Sequence, residues 1–210
     1  IYEIVTNIFS DEKNFEALVR HVLDKQVKEN VIYKEIFLGP HLWSDRPNDR
    51  WERFLNIASK VADEYERKYG IYTYFIIVCI RHLGPEKALE ASRFASKVKD
   101  KNVVGFGMAG DETKFNTLDF MRSFDFAKQS GLGTTTHAGE ICGAKSVDEA
   151  IKLGVTRVGH GVRSCESEET IINLSKENIL LEVCPGSNIA LGLYPSLDDH
   201  PINFLFNKDV

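Results

Sequence analysis

Short apolar runs and longer amphipathic stretches alternate along this chain. The short runs are rich in β-branched and aromatic residues: Val31–Leu38, Thr73–Ile80, Val103–Met108, Thr134–Ala138, Arg157–His160 and Ile179–Cys184. Most are continuous rather than alternating, the pattern of strands covered on both faces. Between them, apolar positions recur at helical spacing. Trp51, Phe54, Leu55, Ala58, Val61, Ala62 and Tyr65 make one stripe, and Gly70 follows as a C-terminal stop. Phe15, Leu18, Val19, Val22 and Leu23 make another. Pro85 suits the first turn of a helix carrying Ala88, Leu89, Ala95 and Val98. Ser146 and Glu149 have the spacing of a capping box, with Gly154 closing the short helix it predicts.

Helix and strand thus follow one another about six times without a low-complexity linker, which predicts right-handed βαβ units and a parallel sheet. A doubly wound sheet and a (β/α)8 barrel both fit this order. The segment from Gly105 to Gly110 has the G-x-G-x-x-G spacing of a dinucleotide site after a strand. Asp111 and Glu112 follow it directly, however, and two carboxylates there would repel a pyrophosphate. We read the match as coincidence.

Composition narrows the class. The chain of 210 residues is 43% hydrophobic and 27% charged, ordinary values for a globular protein able to bury a full core. A formal net charge of −5 argues against nucleic acid as a partner and suits an enzyme acting on a small neutral molecule. Cys79, Cys142, Cys165 and Cys184 are widely spaced, so neither a zinc ribbon nor a disulfide framework is expected. Cys79 and Cys184 lie in apolar runs and are expected to be buried. The longest apolar run, Tyr72–Ile80, is far short of the ~20 residues that span a bilayer. No membrane association and a cytoplasmic location are expected. The first residue, Ile1, is not an initiating methionine, so the natural N-terminus is expected to lie upstream.

Polar residues at the ends of the strands carry the chemistry. Thr134-Thr135-Thr136 runs into His137-Ala138-Gly139-Glu140, Val158 into Gly159-His160-Gly161, and Leu181-Glu182-Val183-Cys184 into Pro185-Gly186-Ser187-Asn188. In a barrel these C-terminal strand ends open on one mouth. Singly, each has a plainer explanation, such as a structural histidine, a tight glycine turn, or an acidic turn at Asp111-Glu112 that caps a helix. Together, an imidazole, a neighbouring carboxyl and a second imidazole are the parts of metal-assisted hydrolysis. The H-E-x-x-H signature is absent, as are H-x-E with P-C-x-x-C and the G-x-S-x-G elbow.

Three segments, Thr136-His137-Ala138-Gly139-Glu140, Arg157-Val158-Gly159-His160-Gly161 and Leu181–Asn188, resemble consecutive motifs of the adenosine deaminase family. Val104–Glu112 and Tyr33–Pro40 resemble two earlier blocks, in family order, so the resemblance covers essentially the whole chain. It implies one domain over residues 1–210, an internal piece of a (β/α)8 barrel with about six strands that lacks the first and the last. It also implies one zinc ion and hydrolysis of adenosine to inosine and ammonia. By position, His137 matches a zinc ligand, and Glu140 the acid that protonates the purine ring nitrogen. His160 matches the histidine that orients and deprotonates the attacking water, and Gly110 the glycine whose backbone meets the purine.

The sequence departs from the family at Gly107, where many members have aspartate. The family's first-strand His-x-His pair and last-strand aspartates are not present. Asp198-Asp199 precede a segment resembling the helix before the final strand and are expected in a solvated turn. With one ligand of four, these 210 residues alone are expected to hold no stoichiometric zinc and to be inactive. Adenine and N6-modified adenylate are alternative substrates. The stretch Glu35-Ile36-Phe37 departs from the Glu-x-Arg of adenosine deaminases toward the adenine branch, whereas Ala109–Glu112 favours adenosine and is weighted more. A non-catalytic barrel that binds without reacting is the alternative from another class.

Overall fold

Among the described residues, six strands pair in the order in which they occur along the chain, every pair parallel. They are β1 (Tyr33–Leu38), β2 (Tyr72–Ile80), β3 (Val103–Ala109), β4 (Gly133–Ala138), β5 (Arg157–His160) and β6 (Leu180–Glu182). The structure, a computed structural model, describes residues 11–45 and 47–210. Sequential order leaves no point at which the winding reverses, and such a point defines a doubly wound sheet. The barrel alternative is the one realised.

The predicted stripes form the helices between the strands. α1 (Glu12–Lys28) precedes β1, and α2 (Asp49–Tyr69) joins β1 to β2. α2 begins at Asn48, whose side chain accepts the Arg50 N–H, and ends at Gly70. α3 (Pro85–Lys97) follows with proline in its first turn. α4 (Met121–Gln129), α5 (Ala144–Lys152) and α6 (Glu168–Lys176) complete the crossovers. Two short helices, α7 (Pro185–Ala190) and α8 (Ile202–Phe206), come after β6. No helix among the described residues is long and apolar enough to cross a membrane.

The main core lies between these helices and the outer face of the sheet. Phe75, Ile77 and Cys79 of β2 and Phe106 and Met108 of β3 join Trp51, Phe54 and Leu55 of α2 there. Each such side chain contributes roughly 1.5–3 kcal/mol through burial. The alternate residues Ile76 and Val78 are also buried but stand outside that cluster, on the inner face. Cys79 is fully buried, and burial pushes its thiol up to about 12, so it is an inert part of the core.

The sheet is rolled. In a flat sheet β1 and β5 would stand about 19 Å apart, four strand spacings of about 4.8 Å. Instead Arg157 of β5 reaches Glu35 of β1 at 2.6 Å and Glu182 of β6 at 3.1 Å. Thr135 of β4 donates to the other Glu182 oxygen at 2.7 Å. These four groups converge in the lumen from four strands. The arrangement is the incomplete (β/α)8 barrel expected from the sequence.

Two local expectations are corrected. Cys184 is exposed, because β6 is a short edge strand that ends at Glu182, before the apolar run does. The capping box at Ser146 does not form: α5 starts at Ala144 after Gly143, so Ser146 lies inside the first turn and its hydroxyl is used elsewhere.

Replacing Arg157 with leucine in the intact protein leaves Glu35 and Glu182 facing each other without a cation. A loss of about 1–3 kcal/mol is expected, the scale of charged hydrogen bonds. Urea denaturation measures it, and an unchanged midpoint would remove the ion pairs from the forces that hold the curl.

Candidate active site

The rolled parallel sheet sends every strand's C-terminal end to one mouth, and the polar residues found in the sequence collect there. His137 sits near the end of β4 and is paired in register with Gly159 of β5. Absence of a side chain at Gly159 is a steric requirement: a Cβ there would lie 2.5 Å from His137 Cδ2. Burial, and next the neighbouring His160, push the His137 imidazole down to about 4, so the ring is neutral at physiological pH with a lone pair to offer.

His160 arrives by a strained route. Its register partner is Ala138, a residue of the outer, helix-facing core. Strict alternation would therefore point His160 away from the mouth. Instead it adopts φ +63, a left-handed conformation that is costly for a residue with a Cβ, and its ring stands 5.0 Å from that of His137. Its Nε2 lies 3.4 Å from Glu140 Oε1. Among the described residues, His137, Glu140 and His160 form the group of potential metal ligands, their donor atoms all within 4.8 Å of one another. Gly110 stands at the same mouth, just past β3, but its neighbours are Arg81 and His82 rather than the cluster. A side chain at Gly107, the aspartate position of many family members, would press on Thr135 and Val78.

The loop bearing Glu140 is organised by a residue whose role the sequence did not reveal. Glu112 is buried, and its carboxylate accepts from the backbone N–H groups of Gly139 (2.5 Å), Glu140 (3.1 Å), Ile141 (2.7 Å) and Cys142 (2.9 Å). The Ser146 hydroxyl adds a fifth donor at 2.8 Å. Successive N–H groups ahead of a helix make an anion-binding concavity, and Glu112 fills it from within the protein. Asp111 next to it has an unrelated task, accepting from Thr113 in its own turn.

Arg81, fully buried just past β2, ties the same layer together. Its guanidinium donates to the Glu112 carbonyl at 3.3 Å, to Thr117 Oγ1 at 3.1 Å and to the His137 carbonyl at 3.3 Å. The one available signal was an arginine directly after a nine-residue strand that is apolar or aromatic at every position but Thr73. On the other flank, buried Asn188 of α7 contacts His160 Nδ1 at 3.3 Å and His200 Nε2 at 3.1 Å. Asp198 and Asp199 are exposed in a turn, as expected, and Asp199 accepts from Ser196.

A curled parallel sheet with two imidazoles and a carboxyl at its strand ends is a barrel whose mouth carries the kinds of group that metal-assisted hydrolysis uses. The chain belongs to the adenosine deaminase family, whose model matches residues 1–210. An adenine deaminase from Agrobacterium fabrum is 37% identical over 210 residues, covering 100% of this chain and 64% of that protein. The solved adenine deaminase of Arthrobacter aurescens superposes with a TM-score of 0.85 at 27% identity, over 93% of this chain and 60% of that one. The N6-methyl-AMP deaminase of Arabidopsis thaliana shares the fold, with a TM-score of 0.81 at 24% identity over 94% and 60% of the two chains. The chain thus spans about two-thirds or less of the length of these relatives.

Glu112→Gln tests the anchoring of the loop. A glutamine presents one acceptor oxygen and an NH₂ group to four N–H donors, so the loop over 139–142 is expected to open. Hydrogen exchange at the Ile141 and Cys142 amides should accelerate, with a loss of about 2–4 kcal/mol in stability. Protection equal to that of the parent would show that other contacts hold the loop.

Proposed function

We propose that the intact protein is a zinc-dependent deaminase of free adenine, replacing the exocyclic amino group with oxygen from water to give hypoxanthine and ammonia. The reaction class rests on one observation: His137, Glu140 and His160 converge at the barrel mouth in a chain of this family.

The donor set fits zinc. His137 supplies a neutral imidazole in space kept open by Gly159, and the carboxyl and second imidazole beside it are ordinary zinc neighbours. Bound there, zinc supplies a nucleophile at neutral pH by lowering the pKa of water to roughly 7. The protein's own groups do the rest. Glu140 delivers a proton to the purine ring nitrogen as the amino-bearing carbon is attacked. His160, whose Nε2 lies 3.4 Å from that carboxyl, holds the attacking water in line. Gly110 presents backbone to the purine at the same mouth.

Adenine is favoured over adenosine for two reasons. The relative that is 37% identical is named an adenine deaminase. In addition, the acidic pair in Ala109–Glu112, which favoured adenosine in the sequence, is occupied structurally: Glu112 lies under the loop and Asp111 caps its own turn. Phe37, in place of the family's arginine, sets an aromatic ring 6.3 Å from His137. An N6-modified adenylate would need a cation for its phosphate, and Arg157 in the lumen is already held by two carboxylates.

Kinetics with adenine, adenosine and N6-methyl-AMP should give the highest kcat/KM for adenine, and a preference for either of the others would replace this substrate. Glu140→Gln should keep zinc and lose ~10²–10⁴-fold in turnover, the usual contribution of a general acid. His137→Ala should lower zinc content, measured by metal analysis; full stoichiometry in that variant would exclude it as a ligand.

A further inference from the structure

A chain of hydrogen bonds leads away from the reaction centre, and its direction is set at the far end. The backbone N–H of Ile202 can only donate, and it donates to His200 Nδ1 at 3.1 Å. His200 Nδ1 is therefore the lone-pair nitrogen, and the ring's hydrogen sits on Nε2. That Nε2–H meets Asn188 Oδ1 at 3.1 Å. The amide nitrogen of Asn188 then faces His160 Nδ1 at 3.3 Å and has only hydrogens to offer. His160, Asn188 and His200 are all buried, so water does not compete for these contacts. With one donor and one acceptor at each contact, a single assignment satisfies all three.

We propose that Asn188 and His200 are positioning residues that hold His160 as the Nε2–H tautomer with its N–H turned into the site. The inference rests on the placement of His160 in the reaction proposed above, and it refines that placement. An imidazole whose Nδ1 accepts from Asn188 presents a hydrogen, not a lone pair, toward Glu140 Oε1. His160 is therefore no metal ligand, although its atoms lie within the ligand cluster. It orients the water oxygen by donating to it and does not remove its proton through Nε2. The strained backbone at φ +63 is consistent with this role, because it turns the ring so that one nitrogen faces Asn188 and the other the mouth.

Asn188→Asp in the intact, zinc-loaded protein reverses the last contact. A carboxylate at position 188 still accepts from His200 but can only accept from His160, which must then carry its hydrogen on Nδ1. Imidazole ¹⁵N shifts of His160 read the tautomer directly. The expected result is an Nε2–H pattern in the parent and an Nδ1–H pattern in the variant. The variant's kcat should fall about 10–100-fold with zinc content unchanged, the usual scale for a group that orients another. His200→Leu should give mixed tautomers with a similar fall, partly restored in His200→Gln, whose amide can both accept and donate. An Nε2–H pattern that persists in Asn188→Asp and His200→Leu overturns the relay. A tautomer that switches with no change in kcat leaves the relay standing and removes His160 from the proposed reaction, so the two failures are distinguishable.

Discussion

The guanidinium of Arg157 meets a carboxylate on β1 only because the parallel sheet is rolled, and the site depends on that roll. Parallel strands joined in sequence by helices have all their C-terminal ends on one side. Rolling them brings those ends around a single mouth. Arg81 after β2, Glu112 after β3, His137 on β4, His160 on β5 and Asn188 after β6 come from five successive units. A flat sheet would spread them along an edge. Charged residues in the lumen tie non-adjacent strands together where apolar contact on the outer face cannot reach.

Within the mouth, order comes from fully partnered buried polar groups. Glu112 would be expensive to bury alone, yet with five donors it fixes the loop that carries Glu140. Arg81 links that loop to the His137 carbonyl, and Asn188 with His200 supports His160 from the opposite flank. Each of the three candidate site residues is thus held by a buried polar partner. Such support matters because general acid and metal chemistry tolerate little misplacement.

In the proposed function, reaction class and substrate are read from different parts of the molecule. The former rests on the imidazole and carboxyl cluster at the strand ends. The latter depends on what lines the lumen beside it, where Phe37 offers an aromatic face and Arg157 is neutralised by its partners. A barrel alone would say nothing about either.

Local pattern in the sequence was enough for the repeating unit and for the candidate residues that meet at the mouth. Strands buried on both faces and helices with one apolar stripe are local, periodic signals, and the elements of the structure coincide with them closely. His137, Glu140 and His160 were legible because histidines and a carboxyl at strand ends break the apolar pattern. Local pattern could not choose between a doubly wound sheet and a barrel, since that choice rests on which strands pair. It also misjudged Cys184 and Ser146, whose environments depend on where β6 ends and on what Glu112 occupies. The roles of Glu112, Arg81, Asn188 and His200 were decided by the tertiary structure alone. Their partners across the mouth lie 12 to 56 residues away in the chain, and a hydrogen bond between groups that distant leaves no periodic trace.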